Sequence, residues 1–448
     1  MNGIRVRIGV LGVALAAGLI APATAATGPG MAAGAEAAVG AASSPTVEEL
    51  RLDRAVPQEI LRRSGFDAVA PAFARSLDRA GSWAEARRVV SRQGEALWRR
   101  AVDRVQGRGP ARGDLPQALS RDDDRPLYWA RLGMTRELRS WDPRFGLGEE
   151  RRAALLSALE RASRGQDDIR LPRGKGLKRV VVTGFDPFTL DRDIRISNPS
   201  GAAALALDGT VIETAAGPAR VETAVFPVRW RDFAEGTVER ALRPYLPRAD
   251  LFTTVSQGRV GRFDVERTNG AWRGGFADNE NVSRTETIPV TDPATQPQWT
   301  TTTLPYAEIV AAATGRFPVY DNTSVTEIPA GGTVPVVRPQ GPTPGSTARA
   351  GGGGDYLSNE IAYRVTLLRD RLGLGDRLPG GHVHTPVLQF GAGNTTEVTD
   401  AEFVRDRLDI VAQVREIVAV AVSAAGRTDR ARTDRARTDR ARTDRARG

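Results

Sequence analysis

The chain has 448 residues and no cysteine, which excludes disulfides, cysteine zinc sites, Fe–S clusters and thiolate nucleophiles. A hydrophobic content of 40% is enough for packed cores, in two or three domains at the usual ~100–200 residues each. The formal charge of +9 would by itself suggest an anionic partner, but nine Arg less four Asp between Arg427 and Gly448 supply +5 of it, so the remainder is only mildly basic and no nucleic-acid partner is expected.

In chain order, residues 1–25 read as a secretory signal. Arg5 and Arg7 precede an apolar run from Ile8 to Ala21, followed by the small-x-small site Ala23-Thr24-Ala25. That run is shorter than the ~20 residues needed to span a bilayer, so the expectation is a secreted or extracytoplasmic protein without stable membrane insertion. Residues 26–45, rich in Ala, Gly and Ser, read as a flexible linker.

Residues 46–170 read as an all-helical module. Thr46 with Glu49, and Ser82 with Glu85, have capping-box spacing. Leu50, Leu52, Ile60 and Leu61, then Val89, Val90, Leu97, Trp98 and Val102, then Leu127, Trp129, Leu132, Met134 and Leu138, and finally Leu155, Leu156 and Leu159 recur at helical spacing. These stripes are expected to form core.

From residue 175 to 425 strands and helices alternate. Strands are expected at Lys178–Thr183, Val221–Val228, Leu251–Val255 and His382–Phe390. Helices are expected at Pro199–Leu207, Arg231–Leu246, Tyr306–Thr314, Tyr356–Leu372 and Asp400–Ala424. Such alternation predicts an α/β fold, an α/β/α sandwich with a parallel-rich open sheet, whose ligands sit beyond the carboxyl ends of the strands. Pro329 to Gly354 reads as a loop ending in four glycines, which lack the Lys-Ser/Thr ending of a phosphate-binding loop. The RTDRA repeats of residues 426–448 hold no large apolar residue and are expected to be disordered.

Four segments concentrate polar and aromatic residues at the ends of these elements. They are Gly184-Phe185-Asp186-Pro187-Phe188 with Asn198-Pro199-Ser200; Ser256-Gln257-Gly258 with Arg262, Glu266-Arg267, Asn269 and Asp278-Asn279; Asp355-Tyr356-Leu357-Ser358-Asn359 with Tyr363; and Gly381-His382-Val383-His384-Thr385-Pro386. A nucleophile in the first turn of a helix gains from the helix dipole and from free backbone N–H groups, which can also hold an oxyanion. His382 and His384 are the only histidines, so either is a candidate base. No spacing resembles a metal site, and no cofactor is expected.

In order and spacing, the four segments resemble the pyroglutamyl peptidase I (pyrrolidone carboxyl peptidase) family of cysteine peptidases, over about Lys178 to Phe390. The resemblance implies an α/β/α fold and removal of N-terminal pyroglutamate from peptides. It implies Glu266 and His384 as catalytic residues and places Ser358 where the family has its cysteine. It further implies Phe185 and Phe188 as the ring pocket and Gln257 beside the substrate. The stretch from Gln257 to Glu266 is shorter than the family's, and Arg273, the nearest match to the family's oxyanion arginine, is out of register. Unlike a thiol, a serine hydroxyl keeps its proton until a well-placed base removes it. Two alternatives therefore stay open: a non-catalytic relative that binds pyroglutamyl or similar N-terminal groups, and an interaction protein acting through its helical module.

Overall fold

The computed structural model describes residues 44–108, 118–174 and 176–447, with side chains as far as Arg427. The expected signal segment and all but the end of the linker lie outside the described residues. No helix among the described residues is long and apolar enough to cross a membrane.

The N-terminal part is helical, with helices Val47–Leu50, Ala55–Ser64, Val69–Asp78, Trp83–Val105, Arg125–Ser140 and Glu149–Ala162. Thr46 forms the expected capping box, accepting the Glu49 N–H while Glu49 accepts the Thr46 N–H. At Ser82 only half of the box forms: Ser82 accepts from the Glu85 N–H, but the Glu85 carboxylate reaches back to the Gly81 N–H instead. The apolar stripes form one core around Trp98 and Trp129. Leu50 departs from the expectation and is exposed, because its four-residue helix turns its acidic side inward and buries Glu48 and Glu49.

The α/β part is built on a seven-stranded sheet. Its strands lie in the order Val319–Asn322, Phe263–Glu266, Gly380–Thr385, Leu251–Gln257, Lys178–Phe185, Ala219–Phe226 and Thr210–Ile212. Four of the six pairings are parallel; Gly380–Thr385 with Phe263–Glu266, and Ala219–Phe226 with Thr210–Ile212, are antiparallel. Helices Pro199–Leu207, Tyr306–Ala311 and the long final helix pack on one face with Val180, Val182, Leu251 and Val255. Helices Thr237–Leu242 and Leu357–Arg371 cover the other face with Val181, Phe226 and Phe252. This is the expected α/β/α sandwich preceded by a helical region.

Several expected elements change. The helix expected over Arg231–Leu246 is two, Trp230–Ala234 and Thr237–Leu242, broken where Gly236 adopts φ 75°. The strand starting near His382 stops at Thr385, since Pro386 brings no N–H to the ladder. The segment read as a loop carries two strands, Val336–Arg338 and Thr347–Ala350, which pair on either side of Val325–Ile328 in a three-stranded antiparallel sheet, with its Gly and Pro residues largely in the turns. The last helix runs Ala401–Arg447, through the repeats expected to be disordered. After Gly426 the repeats contain neither Gly nor Pro before the final residue and are rich in Ala and Arg, both strong helix formers.

The two parts share buried ionic contacts. Arg407 of the last helix pairs with Asp122 of the helical part at 2.5 Å, beside the Asp123–Arg125 pair, also 2.5 Å, within that part; both guanidinium groups are fully buried. Arg125 also donates to the Val398 carbonyl at 2.8 Å. The acidic run before residue 125, which resembles a solvated loop in the sequence, is an interior joint.

Candidate active site

The site lies beyond the carboxyl ends of three adjacent parallel strands, where Phe185, Gln257 and Thr385 are the final residues. Strand alternation puts His382 and His384 on one face. The neighbouring antiparallel strand sets Glu266 opposite His382, so its carboxylate reaches His384 diagonally.

Glu266 Oε1 accepts a hydrogen bond from His384 Nδ1 at 2.8 Å, with both side chains buried. The second oxygen, Oε2, accepts from Asn322 Nδ2 at 2.7 Å, and the same Asn322 amide donates to the Gly352 carbonyl at 2.7 Å. The carboxylate is thus fixed at both oxygens and holds the imidazole with its proton on Nδ1. Among the described residues nothing hydrogen-bonds to Nε2, which leaves that nitrogen able to accept a proton.

His382 is not a rival base. Its Nδ1 lies 2.7 Å from Thr254 Oγ1 and its Nε2 lies 2.8 Å from Ser256 Oγ, so both nitrogens are occupied. Burial first, and then the adjacent His384, push its pKa well below the ordinary value. It is a neutral interior histidine whose ring meets that of His384 edge-on, with centroids 4.5 Å apart.

Three of the four glycines before Ser358 have a steric reason, and the fourth, Gly354, adopts φ 92°. A Cβ on Gly352 would overlap Glu266 Oε2, one on Gly353 would overlap the His384 ring, and one on Gly351 would overlap Asn359 Oδ1. The backbone lies directly on the Glu–His pair, which only glycine permits. Ser358 follows as the second residue of helix Leu357–Arg371, whose start carries no side-chain cap. Asn359 anchors that start by accepting from the Gly270 N–H and donating to the Gly270 and Trp272 carbonyls, each at 2.9 Å. Ser358 Oγ donates to the Gly353 carbonyl at 3.4 Å, and no hydrogen bond joins it to His384.

Phe185, Phe188, Gln257, Tyr356 and Ser358 line one small pocket, together with Asn198 and Ser256. Phe188 stacks on Tyr356 at 5.8 Å between centroids. Gln257 is buried, and its Oε1 has no hydrogen-bond partner, an acceptor available to a ligand N–H. Arg273 does not face the serine as a free cation: it is buried and paired with Glu286 at 2.6 Å and Glu360 at 3.5 Å. The donors best placed for an oxyanion are therefore the first-turn amides of the Ser358 helix. Among the described residues no cluster of His, Asp and Glu is arranged to hold a metal ion.

The structure thus joins Glu266 to His384 and gathers Phe185, Phe188, Gln257 and Ser358 around one pocket, but leaves Ser358 and His384 unbonded. Asn322 was not legible as a site residue, since nothing in its sequence surroundings marks it. The glycine run was visible, but its purpose was not.

Residues 30–160 match the family described as PA0049 N-terminal domain, and residues 179–294 and 317–389 match PA0049, C-terminal domain. The uncharacterized protein PA0049 of Pseudomonas aeruginosa is 34% identical, over 83% of this chain and 88% of the relative. The chain belongs to the PA0049 family. Solved structures similar to this family member include a mutant pyrrolidone carboxyl peptidase of Pyrococcus furiosus, with 22% identity and a TM-score of 0.38 over 55% of this chain and 99% of that one. Pyroglutamyl peptidase I of Bacillus amyloliquefaciens is 20% identical, with a TM-score of 0.36 over 56% of this chain and 97% of that one.

Proposed function

We propose that this protein is an exported hydrolase that removes N-terminal pyroglutamate from peptides, with Ser358 as nucleophile, His384 as base and Glu266 orienting the imidazole. The observation that carries this reading is the buried Glu266–His384 hydrogen bond of 2.8 Å with Nε2 unengaged; the serine stands at an uncapped helix start. This is the nucleophile–base–acid logic of acyl transfer.

In this reading the pyrrolidone ring lies against Phe185 and Phe188, and its lactam N–H donates to Gln257 Oε1. The Ser358 hydroxyl leaves its 3.4 Å contact with Gly353, which is long for an O–H···O bond, and turns toward His384. Its proton passes to Nε2 as Oγ attacks the acyl carbon. The oxyanion takes the first-turn amide N–H groups, and His384 protonates the departing amine. Water then repeats the sequence on the ester and regenerates the hydroxyl. A serine in place of a low-pKa thiol suits an oxidising compartment, in keeping with the expected signal segment.

The second reading is a non-catalytic binder of pyroglutamyl or similar N-terminal groups. It is favoured by the hydroxyl's contact with the Gly353 carbonyl rather than the imidazole. The test is turnover of a pyroglutamyl chromogenic amide by the mature protein, by Ser358→Ala and by Ser358→Cys. Catalysis by Ser358 requires the Ala variant to lose at least ~100-fold, and equal rates would overturn it. The Cys variant, carrying the only thiol in the chain, should turn over the amide and be inactivated by iodoacetamide. Binding of pyroglutamate without turnover by either the wild type or the Cys variant would establish the second reading.

A further inference from the structure

We propose that the helical module braces the pocket from behind its lining, with Glu48, Asp124 and Arg131 acting as positioning residues. This deepens the reading above and shares its pocket. Three points on the pocket's rim are held from the module, and no partner molecule is needed to explain the module's presence.

The first point is Asp186, between the two pocket phenylalanines. Its buried carboxylate receives Arg131 Nη2 at 2.5 Å and Arg164 Nη2 at 2.8 Å. The second is the Pro187 carbonyl, which accepts from Asn279 Nδ2 at 2.9 Å. That amide also donates to Glu48 Oε1 at 3.1 Å, and the same oxygen accepts from Tyr128 at 2.8 Å. The other oxygen of Glu48 accepts from Arg229 Nη1 at 3.0 Å. The third point is the pocket-lining Asn198, whose N–H donates to Asp124 Oδ2 at 2.9 Å while its amide donates to the Asp186 carbonyl at 2.9 Å.

Glu48 is fully buried, although it sits in the first helix of the described chain, far in sequence from the pocket loop. A carboxylate buried this deeply is stable only when hydrogen-bonded and paired. Here all of its partners face the pocket loop, the residues behind it or the module helix beneath it. With Asp186 pinned on one side and Pro187 on the other, the Phe185–Phe188 turn has little freedom to open. Preorganisation of this kind acts on substrate binding more than on the chemical step.

The experiment uses the full mature chain, comparing Glu48→Gln with Leu159→Val, a module core change at a side chain that makes none of these polar contacts. Positioning by Glu48 requires KM for the pyroglutamyl amide to rise ~10-fold in Glu48→Gln with kcat within about twofold, while Leu159→Val leaves KM in place. Equal KM values in the two variants would overturn it. Hydrogen–deuterium exchange over residues 184–190 supplies a readout that does not depend on turnover. Exchange there should quicken ~10-fold in Glu48→Gln and stay unchanged in Leu159→Val. If the wild type proves inactive, the hydrolase reading fails while the exchange result still decides this one, and unchanged exchange refutes it. Should Glu48→Gln not fold, Arg131→Lys keeps the charge but loses the 2.5 Å contact of Nη2 with Asp186 Oδ1, and the same two outcomes apply.

Discussion

Replacing Gly353 by alanine tests the reason for the glycine run. Gly353 does not occupy the left-handed region, so alanine meets no backbone penalty and the substitution probes space alone. The new methyl would overlap the His384 ring at Cε1. The ring has no easy retreat: Gly258 lies so close on its other side that a Cβ there would be 2.7 Å from His384 Cβ and 2.8 Å from Cδ2, and Glu266 holds Nδ1 at 2.8 Å. Either the glycine strand lifts or the imidazole shifts by ~1 Å, a displacement that can cost ~100-fold in rate. The overpacking itself should cost ~1–3 kcal/mol by chemical denaturation. The Nδ1 proton of His384 is the direct reporter. A hydrogen-bonded imidazole N–H of a buried pair is visible by proton NMR at low field, and only two histidines compete for assignment. Gly393→Ala, where a Cβ meets nothing within 4 Å, is the control. An alanine variant at 353 with the wild-type His384 resonance, stability and turnover would refute the steric argument.

Two further outcomes follow from buried charges outside the pair. Asp123→Asn leaves the fully buried Arg125 without its 2.5 Å partner and weakens the surroundings of Arg407, so it should lose ~3–5 kcal/mol in a denaturant titration. A loss below ~1 kcal/mol would show that the joint is not held by this charge. His382, with its folded pKa well below the ordinary 6.5, stays neutral while the unfolded chain takes up a proton. Its contribution is therefore complete above pH 6.5 and is lost as pH falls below that value, by ~1.4 kcal/mol per unit at most. His382→Gln should remove that slope between about pH 6.5 and 5.5, and identical slopes in the two proteins would show that the histidine is not kept neutral by the fold.

The sandwich was legible because its central strands are short β-branched runs and its helices carry apolar stripes, as at Val180–Val182 and Leu357–Leu368. The Phe263–Glu266 strand was not read as one. Its alternation sets Phe263 and Val265 against Asp264 and Glu266, which looks half-solvated in sequence, yet all four residues are buried. Their polar face is satisfied by Arg259, Arg262 and His384, partners that no local pattern reveals. The acidic run Asp122–Asp124 misleads for the same reason, since the arginine that pairs with Asp122 lies in the last helix. At the site, residues in motifs could be named from the sequence, whereas Asn322 and the closeness of Gly352 and Gly353 to the pair depend on strands and turns meeting from separate segments.

The ion pair between Asp122 and Arg407 spans 285 residues, and this has a consequence for how the protein is made. At ~5–20 residues per second, Asp122 emerges from the ribosome roughly 15–60 s before the arginine that pairs with it. The module leaves the exit tunnel first but completes its interior last. Since ordering so long a loop precedes any reward from the contact, the final helix acts as the clasp of the whole molecule, and chains cut short before residue 407 would carry an open, acidic seam.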